Sequence, residues 1–297
     1  MKVASNRSIK GKLMLNEPMS KHTSWRLGGP ADRYYIPVDL VDLQYFLSGL
    51  EQDIDILWIG LGSNLLVRDG GFRGQVIAPL NSLKEIHLQP DGLLYVESGT
   101  SCAKLAKFCQ KQGLDGADFF AGIPGTIGGA LAMNAGAFGG ETWSMVEQVV
   151  MIDRAGNLVE RSPAEFEVDY RHVGLPQQEW FAAARFRLAA RAPGVASNIR
   201  QLLQQRNATQ PIGLPSCGSV FKNPEGKHAA QLIEAAGLKG YCLGSACVSE
   251  KHANFIISNS DTTASDVEAL IGHIRDTIAS QFGVSLEAEV RIVGETL

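Results

Sequence analysis

The sequence predicts a protein of mixed helices and strands in two or three domains, and three observations carry that expectation. At 297 residues the chain is longer than a single hydrophobic core usually serves. Apolar runs with the length and β-branching of strands alternate with runs of helical period along most of it. Glycine accounts for 32 of the 297 residues, against roughly 7% in average usage, and the excess is clustered. Fourteen glycines fall in three short stretches: Gly28–Gly29, residues 60–74 and residues 121–140.

The elements follow in order. Ile54 to Ile59 reads as a buried strand, and the loop Gly60-Leu61-Gly62-Ser63-Asn64-Leu65-Leu66-Val67 leaves its end before a second apolar run, Gln75 to Pro79. Leu93 to Gly99 reads as a strand. A helix then starts at Thr100 or Ser101 as N-cap and stops at Gly113, with Cys102, Leu105, Ala106 and Cys109 on one face. Glu147 to Asp153 and Leu158 to Ser162 form a hairpin around Arg154-Ala-Gly-Asn157, and Phe181 to Ala189 continues the sheet. A composition change at Arg191-Ala-Pro-Gly194 marks a boundary, after which a helix starts at Ser197. A short helix up to Gly237 and a strand at Ala253 to Ser258 come next. A long helix runs from the capping box Thr263/Asp266 to about Phe282. Ser285 to Gly294 alternates as a strand, with Glu287, Glu289 and Arg291 on its polar face.

Composition narrows the function. With 45% hydrophobic and 20% charged residues the chain is globular, and 27 Lys and Arg against 31 Asp and Glu, with no basic run, argue against nucleic acid as a partner. The N-terminus lacks the apolar core of a secretory signal, so a cytoplasmic location is expected. Residues 119–140 carry no charge over 22 positions, the length of a membrane span. Pro124, Asn134 and seven glycines make that reading a poor one. Five cysteines, at 102, 109, 217, 242 and 247, form no C-x-x-C pair. Neither a disulfide framework nor a zinc site is expected, and reduced thiols are.

Two glycine-rich loops at strand ends point to a phosphate-bearing ligand, because glycine lets the backbone approach closely and successive N–H groups form an anion-binding nest. Leu65 stands where a Rossmann fingerprint needs its third glycine, and no G-K-[ST] follows, so both common nucleotide folds are disfavoured. Glycines serving tight turns alone would explain either loop taken singly.

Gly62-Ser-Asn-Leu-Leu66, Ala121-Gly-Ile-Pro-Gly-Thr-Ile-Gly-Gly129 and Asn134-Ala-Gly136 resemble the FAD-binding region of the UDP-N-acetylenolpyruvoylglucosamine reductases, the MurB family of peptidoglycan synthesis. The resemblance continues in order through His22-Thr-Ser-Trp-Arg-Leu-Gly-Gly29, Tyr170-Arg171, Gly218-Ser-Val-Phe-Lys-Asn-Pro224, Ser249-Glu-Lys-His-Ala-Asn-Phe255 and Leu286-Glu-Ala-Glu-Val-Arg291. It implies an α+β fold: an FAD-binding domain of the vanillyl-alcohol-oxidase (PCMH) type in residues 1–192, split into two subdomains near 80–90, and an α+β substrate domain in residues 193–297. It also implies non-covalent FAD, NADPH as co-substrate, and reduction of the enolpyruvyl ether of UDP-N-acetylglucosamine to UDP-N-acetylmuramate by a monomer with no nucleic-acid or membrane partner. No His or Cys in residues 121–140 offers a covalent flavin link there.

The resemblance assigns roles residue by residue. FAD would lie against Gly60, Gly62, Ser63, Asn64, Leu65, Gly122, Ile123, Pro124, Gly125, Thr126, Gly128, Gly129, Asn134, Ala135 and Gly136, with Arg291 touching it or balancing the carboxylates. Arg171 would hold and polarise the substrate carboxylate, as a planar guanidinium fork can, Ser219 would give a proton to the α-carbon, and Glu289, if buried and protonated, would donate a hydrogen bond to the developing enolate. Lys222 and Asn223 would reach toward the sugar and phosphates, with Lys251, His252 and Asn254 as weaker candidates. The plainer readings are a surface arginine, a turn serine, a solvated strand face and a structural histidine; Glu287, with the same chemistry and no motif match, is the control for Glu289. Two departures stand out. The 48 positions from Arg171 to Ser219 resemble the compact form without the Tyr-bearing loop over the substrate, and Val173 replaces a Ser that would bond Arg171. A hydroxy-acid oxidase on the same cofactor domain and a non-catalytic binding module remain the alternatives.

Overall fold

The computed structural model describes residues 8–297; residues 1–7, which belong to the N-terminal stretch expected to lack a secretory signal and to the first expected domain, lie outside the described residues. Two sheets organise the first two-thirds of the chain. Lys12–Pro18, Pro30–Ile36, Phe72–Ile77 and Ile56–Trp58 lie side by side in that order, the first pair antiparallel and the others parallel. Leu158–Arg161, Val146–Asp153, Glu179–Phe186, Leu94–Glu97 and Ile86–Leu88 form a five-stranded antiparallel sheet.

Helix Leu40–Ser48 joins the two. Asp39 caps it, accepting the Asp42 N–H at 2.7 Å. Its Leu43, Phe46 and Leu47 pack in one cluster with Tyr35 and Ile77 of the first sheet and Val150, Ile152 and Ala183 of the second. Helix Cys102–Lys111, capped by Ser101 as its sequence predicts, buries Cys102, Leu105, Ala106 and Cys109 in a separate cluster with Val96, Val149 and Phe186.

The uncharged stretch 119–140 is no span. It breaks into the 3-10 turn Asp118–Gly122, helix Ile127–Ala132 and the beginning of the two-residue pairing Gly136–Ala137 with Gly140–Glu141. Among the described residues no helix is long and apolar enough to cross a membrane.

The remainder carries helices Ile199–Thr209, Ala229–Ala235 and Ala264–Phe282 and a three-stranded sheet of Cys242–Leu243, Ala246–Val248 and Ile256–Ile257. The capping box is present, with Thr263 and Asp266 each accepting the other's N–H at 3.0 Å, and Gly283 ends the helix at φ +65°. Two expected strands are shorter than their patterns. Ala253 to Ser258 keeps only Ile256–Ile257, and Ser285 to Gly294 only Arg291–Val293. In the second of these, Ala288 pairs singly with Phe221, brought in from 67 positions away.

The expectation of five reduced thiols is corrected. Cys242 and Cys247 face each other across the tight turn Gly244-Ser245 and form a disulfide, their Cα atoms 4.1 Å apart. Their spacing of five is not a C-x-x-C motif; the hairpin, not the spacing, brings them together. Cys102, Cys109 and Cys217 are free and buried.

The two parts of the chain interlock. Trp25 and Leu27 are buried among Val220, Ile256, Leu270 and Ile274 of the second part. Trp25 Nε1 donates to the Ile256 carbonyl at 2.8 Å, and the Ser258 hydroxyl donates to the Trp25 carbonyl at 2.6 Å. Arg291–Val293 adds a parallel strand to Leu65–Val67. The Asp69 carboxylate accepts from the N–H groups of Ala264 and Ser265, both at 2.9 Å, and from the Ser265 hydroxyl at 2.7 Å, so a residue of the first part covers the N-terminus of the last helix.

Candidate active site

A cavity of about 690 Å³ opens where the glycine loops meet residues 206–223, 254–255 and 289, a size common for small-molecule sites. Of the residues expected at the cofactor, Gly60, Ser63, Asn64, Gly122, Ile123, Pro124, Ala135 and Gly136 line it. The others support those. Thr126 accepts the Gly129 N–H at 3.3 Å and caps helix Ile127–Ala132, which contains Gly128. Gly125 takes the Cys102 N–H on its carbonyl, and Leu65 is buried beside Val67. Arg291 is exposed, and its N–H donates to the Asn64 carbonyl at 3.1 Å.

The loops fit a group that needs close backbone approach. Gly62 sits at φ +67°, where a Cβ would lie 2.0 Å from the His22 carbonyl oxygen, and a Cβ on Gly60 would lie 2.4 Å from Thr126 Oγ1. Side chains are therefore excluded from the joint between the two loops, leaving a wall of backbone and small polar groups. That is the surface a dinucleotide's diphosphate and flat ring require. Cys217, although it lines the cavity, is occupied: its thiol points at the carbonyls of Gly62 and Leu65, and burial pushes its pKa up to about 12, so it is no thiolate nucleophile.

Arg171, Ser219 and Glu289, scattered over the sequence, all line this cavity. Arg171 occupies the turn of the short hairpin Val168–Asp169/His172–Val173 at φ +54°. Its guanidinium donates to the carbonyls of Asn134 at 3.3 Å and Gly136 at 2.9 Å, and Nε lies 3.4 Å from Glu289 Oε1. Val173 is buried in the core. Glu289 has only 13% of its side chain exposed, whereas the control Glu287 has 72% exposed and pairs with Lys222 at the surface. Burial raises the pKa of Glu289, with the positive charges of Arg171 and Lys222 pulling against it.

Ser219 follows Gly218, which is at φ +72°, and the residue after it, Val220, is bonded through both its N–H and its carbonyl. The Val220 N–H donates to the Asn254 carbonyl at 2.9 Å, and the Glu289 N–H to the Val220 carbonyl at 2.8 Å. Asn254, buried, clamps Phe221 with its amide, accepting the N–H at 3.0 Å and donating to the carbonyl at 2.8 Å. Asn64 closes the ring by donating from Nδ2 to the Glu289 carbonyl at 3.0 Å. Glu289 is thus placed through its own backbone, and Ser219 through the bonded backbone of Val220 and Phe221 that follows it.

Of the residues expected at the substrate, Asn223 and Asn254 line the cavity, while Lys222, Lys251 and His252 do not. Lys222 turns to Glu287, Lys251 donates to the Asn207 carbonyl, and His252 Nδ1 accepts the Asn254 N–H at 3.3 Å. No motif marks Arg206, which lines the cavity and donates from Nε to Gln210 Oε1 at 3.1 Å. Burial lowers its pKa. Tyr34 and His22 also line the wall, stacked at 4.1 Å, with Glu17 3.0 Å from His22 Nε2.

Comparison with known proteins agrees with this geometry. Residues 34–162 match a family described as an FAD-binding domain, and residues 210–293 match the C-terminal domain of UDP-N-acetylenolpyruvoylglucosamine reductase. The UDP-N-acetylenolpyruvoylglucosamine reductase of Alkalilimnicola ehrlichii is 54% identical over 99% of both chains, and that of Methylococcus capsulatus 54% identical over 96% of this chain and 94% of its own. The crystal structure of UDP-N-acetylenolpyruvylglucosamine reductase from Thermus caldophilus superposes with a TM-score of 0.81 at 28% identity, covering 96% of this chain and 99% of that one. The fold is an FAD-binding α+β domain joined to a reductase C-terminal domain, and the chain belongs to the UDP-N-acetylenolpyruvoylglucosamine reductase family.

Proposed function

We propose that this protein reduces the enolpyruvyl ether of UDP-N-acetylglucosamine to UDP-N-acetylmuramate, with NADPH as reductant, in peptidoglycan precursor synthesis. The observation that carries the reading is the convergence of Arg171, Ser219 and Glu289 on one glycine-walled cavity. Gly60, Ser63, Asn64, Gly122, Ile123, Pro124, Ala135 and Gly136 would hold FAD there, and the flavin would supply hydride-transfer chemistry between NADPH and the terminal CH₂ carbon of the enol ether.

The chain's own residues handle the charge and the proton. Hydride addition at CH₂ leaves negative charge on the α-carbon and its carboxylate. Arg171, held by two carbonyls, presents a guanidinium that stays charged and binds that carboxylate. Glu289, whose raised pKa favours the protonated form, donates a hydrogen bond to the same oxygens as charge builds. The Ser219 hydroxyl, which makes no hydrogen bond among the described residues, gives its proton to the α-carbon. A serine is a weak acid at neutral pH, so this step depends on a strongly basic carbanion and a well-placed hydroxyl. Asn223 and Asn254 border the same wall as Ser219 and support binding of the nucleotide sugar on that side.

In this reading residues 1–192 serve the flavin and residues 193–297 the nucleotide sugar, and the working unit is a cytoplasmic monomer whose partners are small molecules. The separate family matches of residues 34–162 and 210–293 support the division. Replacing Ser219 by Ala tests the assignment. Flavin reduction by NADPH should be retained while product formation falls by at least 100-fold, in line with the usual weight of general acid catalysis. Unchanged turnover would remove Ser219 from the mechanism, and rapid reoxidation by oxygen with no response to the UDP-sugar would favour the hydroxy-acid oxidase.

A further inference from the structure

Arg171 is carried by a very small piece of structure. The strands on either side of its turn have two residues each, and a hairpin that short does not hold its shape in water by itself. Arg171 also occupies the left-handed region at φ +54°, a conformation a long side chain keeps only where its surroundings determine it. The precision needed to present a guanidinium to a carboxylate must therefore come from outside the hairpin.

Asn134 supplies it. This residue, 3% exposed and absent from the cavity wall, spends its whole side chain on the problem. Its Nδ2 donates to the carbonyl of Asp169, two residues before Arg171, at 3.3 Å, and to Glu141 Oε2 at 3.2 Å. Its Oδ1 accepts the Trp143 N–H at 3.1 Å. Its main-chain carbonyl accepts from Arg171 Nη1 at 3.3 Å. One side chain thus grips the backbone that carries the arginine, and the same residue's backbone grips the guanidinium. Only a carboxamide has both the two donors and the acceptor this arrangement uses, and asparagine tolerates the residue's φ of +44° better than most.

We propose that Asn134 is the positioning residue for Arg171: it acts on the substrate's carboxylate through the arginine and does not bind the cofactor, as its motif implied. This rests on the reading of Arg171 given above. A displacement of about 1 Å in such a group costs on the order of 100-fold in rate.

The experiment separates the two half-reactions of the FAD-loaded enzyme carrying Asn134→Gly. Glycine accepts φ +44° without strain and keeps the main-chain carbonyl, so the variant removes the carboxamide and little else. Asn134→Asp, which sets an acceptor against the Asp169 carbonyl and Glu141, serves as a second variant of nearly equal shape. Flavin reduction by NADPH and the visible flavin spectrum should match wild type, while reoxidation by the enolpyruvyl nucleotide slows about 100-fold. In an Arg171→Ala background the same change should add nothing further. Wild-type reoxidation in both variants overturns the proposal, as does equal slowing of both half-reactions, which would place Asn134 at the flavin, or full additivity with Arg171→Ala. If the wild-type enzyme itself does not react with the nucleotide, the functional reading falls and takes the proposal with it; a reactive wild type with equally reactive variants overturns the proposal alone.

Discussion

Glu289 shows how a single residue acquires its chemistry from its surroundings. Two residues away, Glu287 has the same side chain and remains an ordinary surface carboxylate paired with Lys222, while Glu289 is buried against Arg171 and its pKa is raised, chiefly by burial. The sign follows directly. A raised pKa keeps the donor form present at low pH, and that form is lost as pH rises through the folded value, so substrate reduction should decline on the alkaline side. Glu289→Gln keeps an uncharged donor but cannot ionise. The rate of flavin reoxidation by the substrate, measured against pH, should then lose this decline while its acid side is unchanged; an unaltered profile would assign the decline to another group. The motif at 286–291 marked Glu289 in the sequence, but the alternation there predicts only a polar strand face. What turns residue 289 inward is the pairing of its N–H with Val220 and its carbonyl with Asn64, contacts across 69 and 225 positions of chain in which local periodicity leaves no trace.

Elements whose signals are local are legible in the sequence, and those completed by distant partners are not. Ser101 with Gly113, and Thr263 with Asp266 and Gly283, fix two helices by neighbours within a few residues, so their caps can be read directly. The strands Lys12–Pro18 and Pro30–Ile36 have no clean alternation, because the first lies at the sheet edge with Leu13 and Leu15 exposed. The part of the cavity wall formed by Arg206 and residues 210–217 carries no motif. The disulfide between Cys242 and Cys247 depends on a hairpin whose strands are two and three residues long, too short to be recognised by pattern. At the N-terminus of helix Ala264–Phe282 the local capping box is reinforced by Asp69 from the other part of the chain. Burial pushes the Asp69 pKa up, but hydrogen bonds from Ser265 and the N–H groups of Ala264 and Ser265 outweigh it and hold the carboxyl below its ordinary value. Its stabilising contribution is present above the unfolded pKa and fades as pH falls through the folded one. Asp69→Ala should lower stability by about 1 kcal/mol, within the range of helix caps, measured by denaturant unfolding at neutral pH. A loss near zero would mean that the contact does not couple the two parts.

At the scale of the molecule, the active site exists because the two parts interlock. Trp25 of the first part is buried in the second, Arg291–Val293 of the second extends a strand of the first, and Asn64 bridges them beside the cavity. The glycine walls come from one side and Ser219, Asn223 and Glu289 from the other, with Arg171 projected between them. On the proposed function, a cofactor against the first part would meet a substrate against the second; neither part alone contains the constellation. The central claim is that one cavity serves both halves of a reduction, and an anaerobic titration of the purified FAD-loaded protein tests it most directly. Stoichiometric NADPH should bleach the visible flavin absorbance, and one equivalent of UDP-N-acetylglucosamine enolpyruvate should restore it with release of UDP-N-acetylmuramate. A flavin that bleaches but is not restored by that nucleotide, or a folded protein that binds no flavin, would contradict the account.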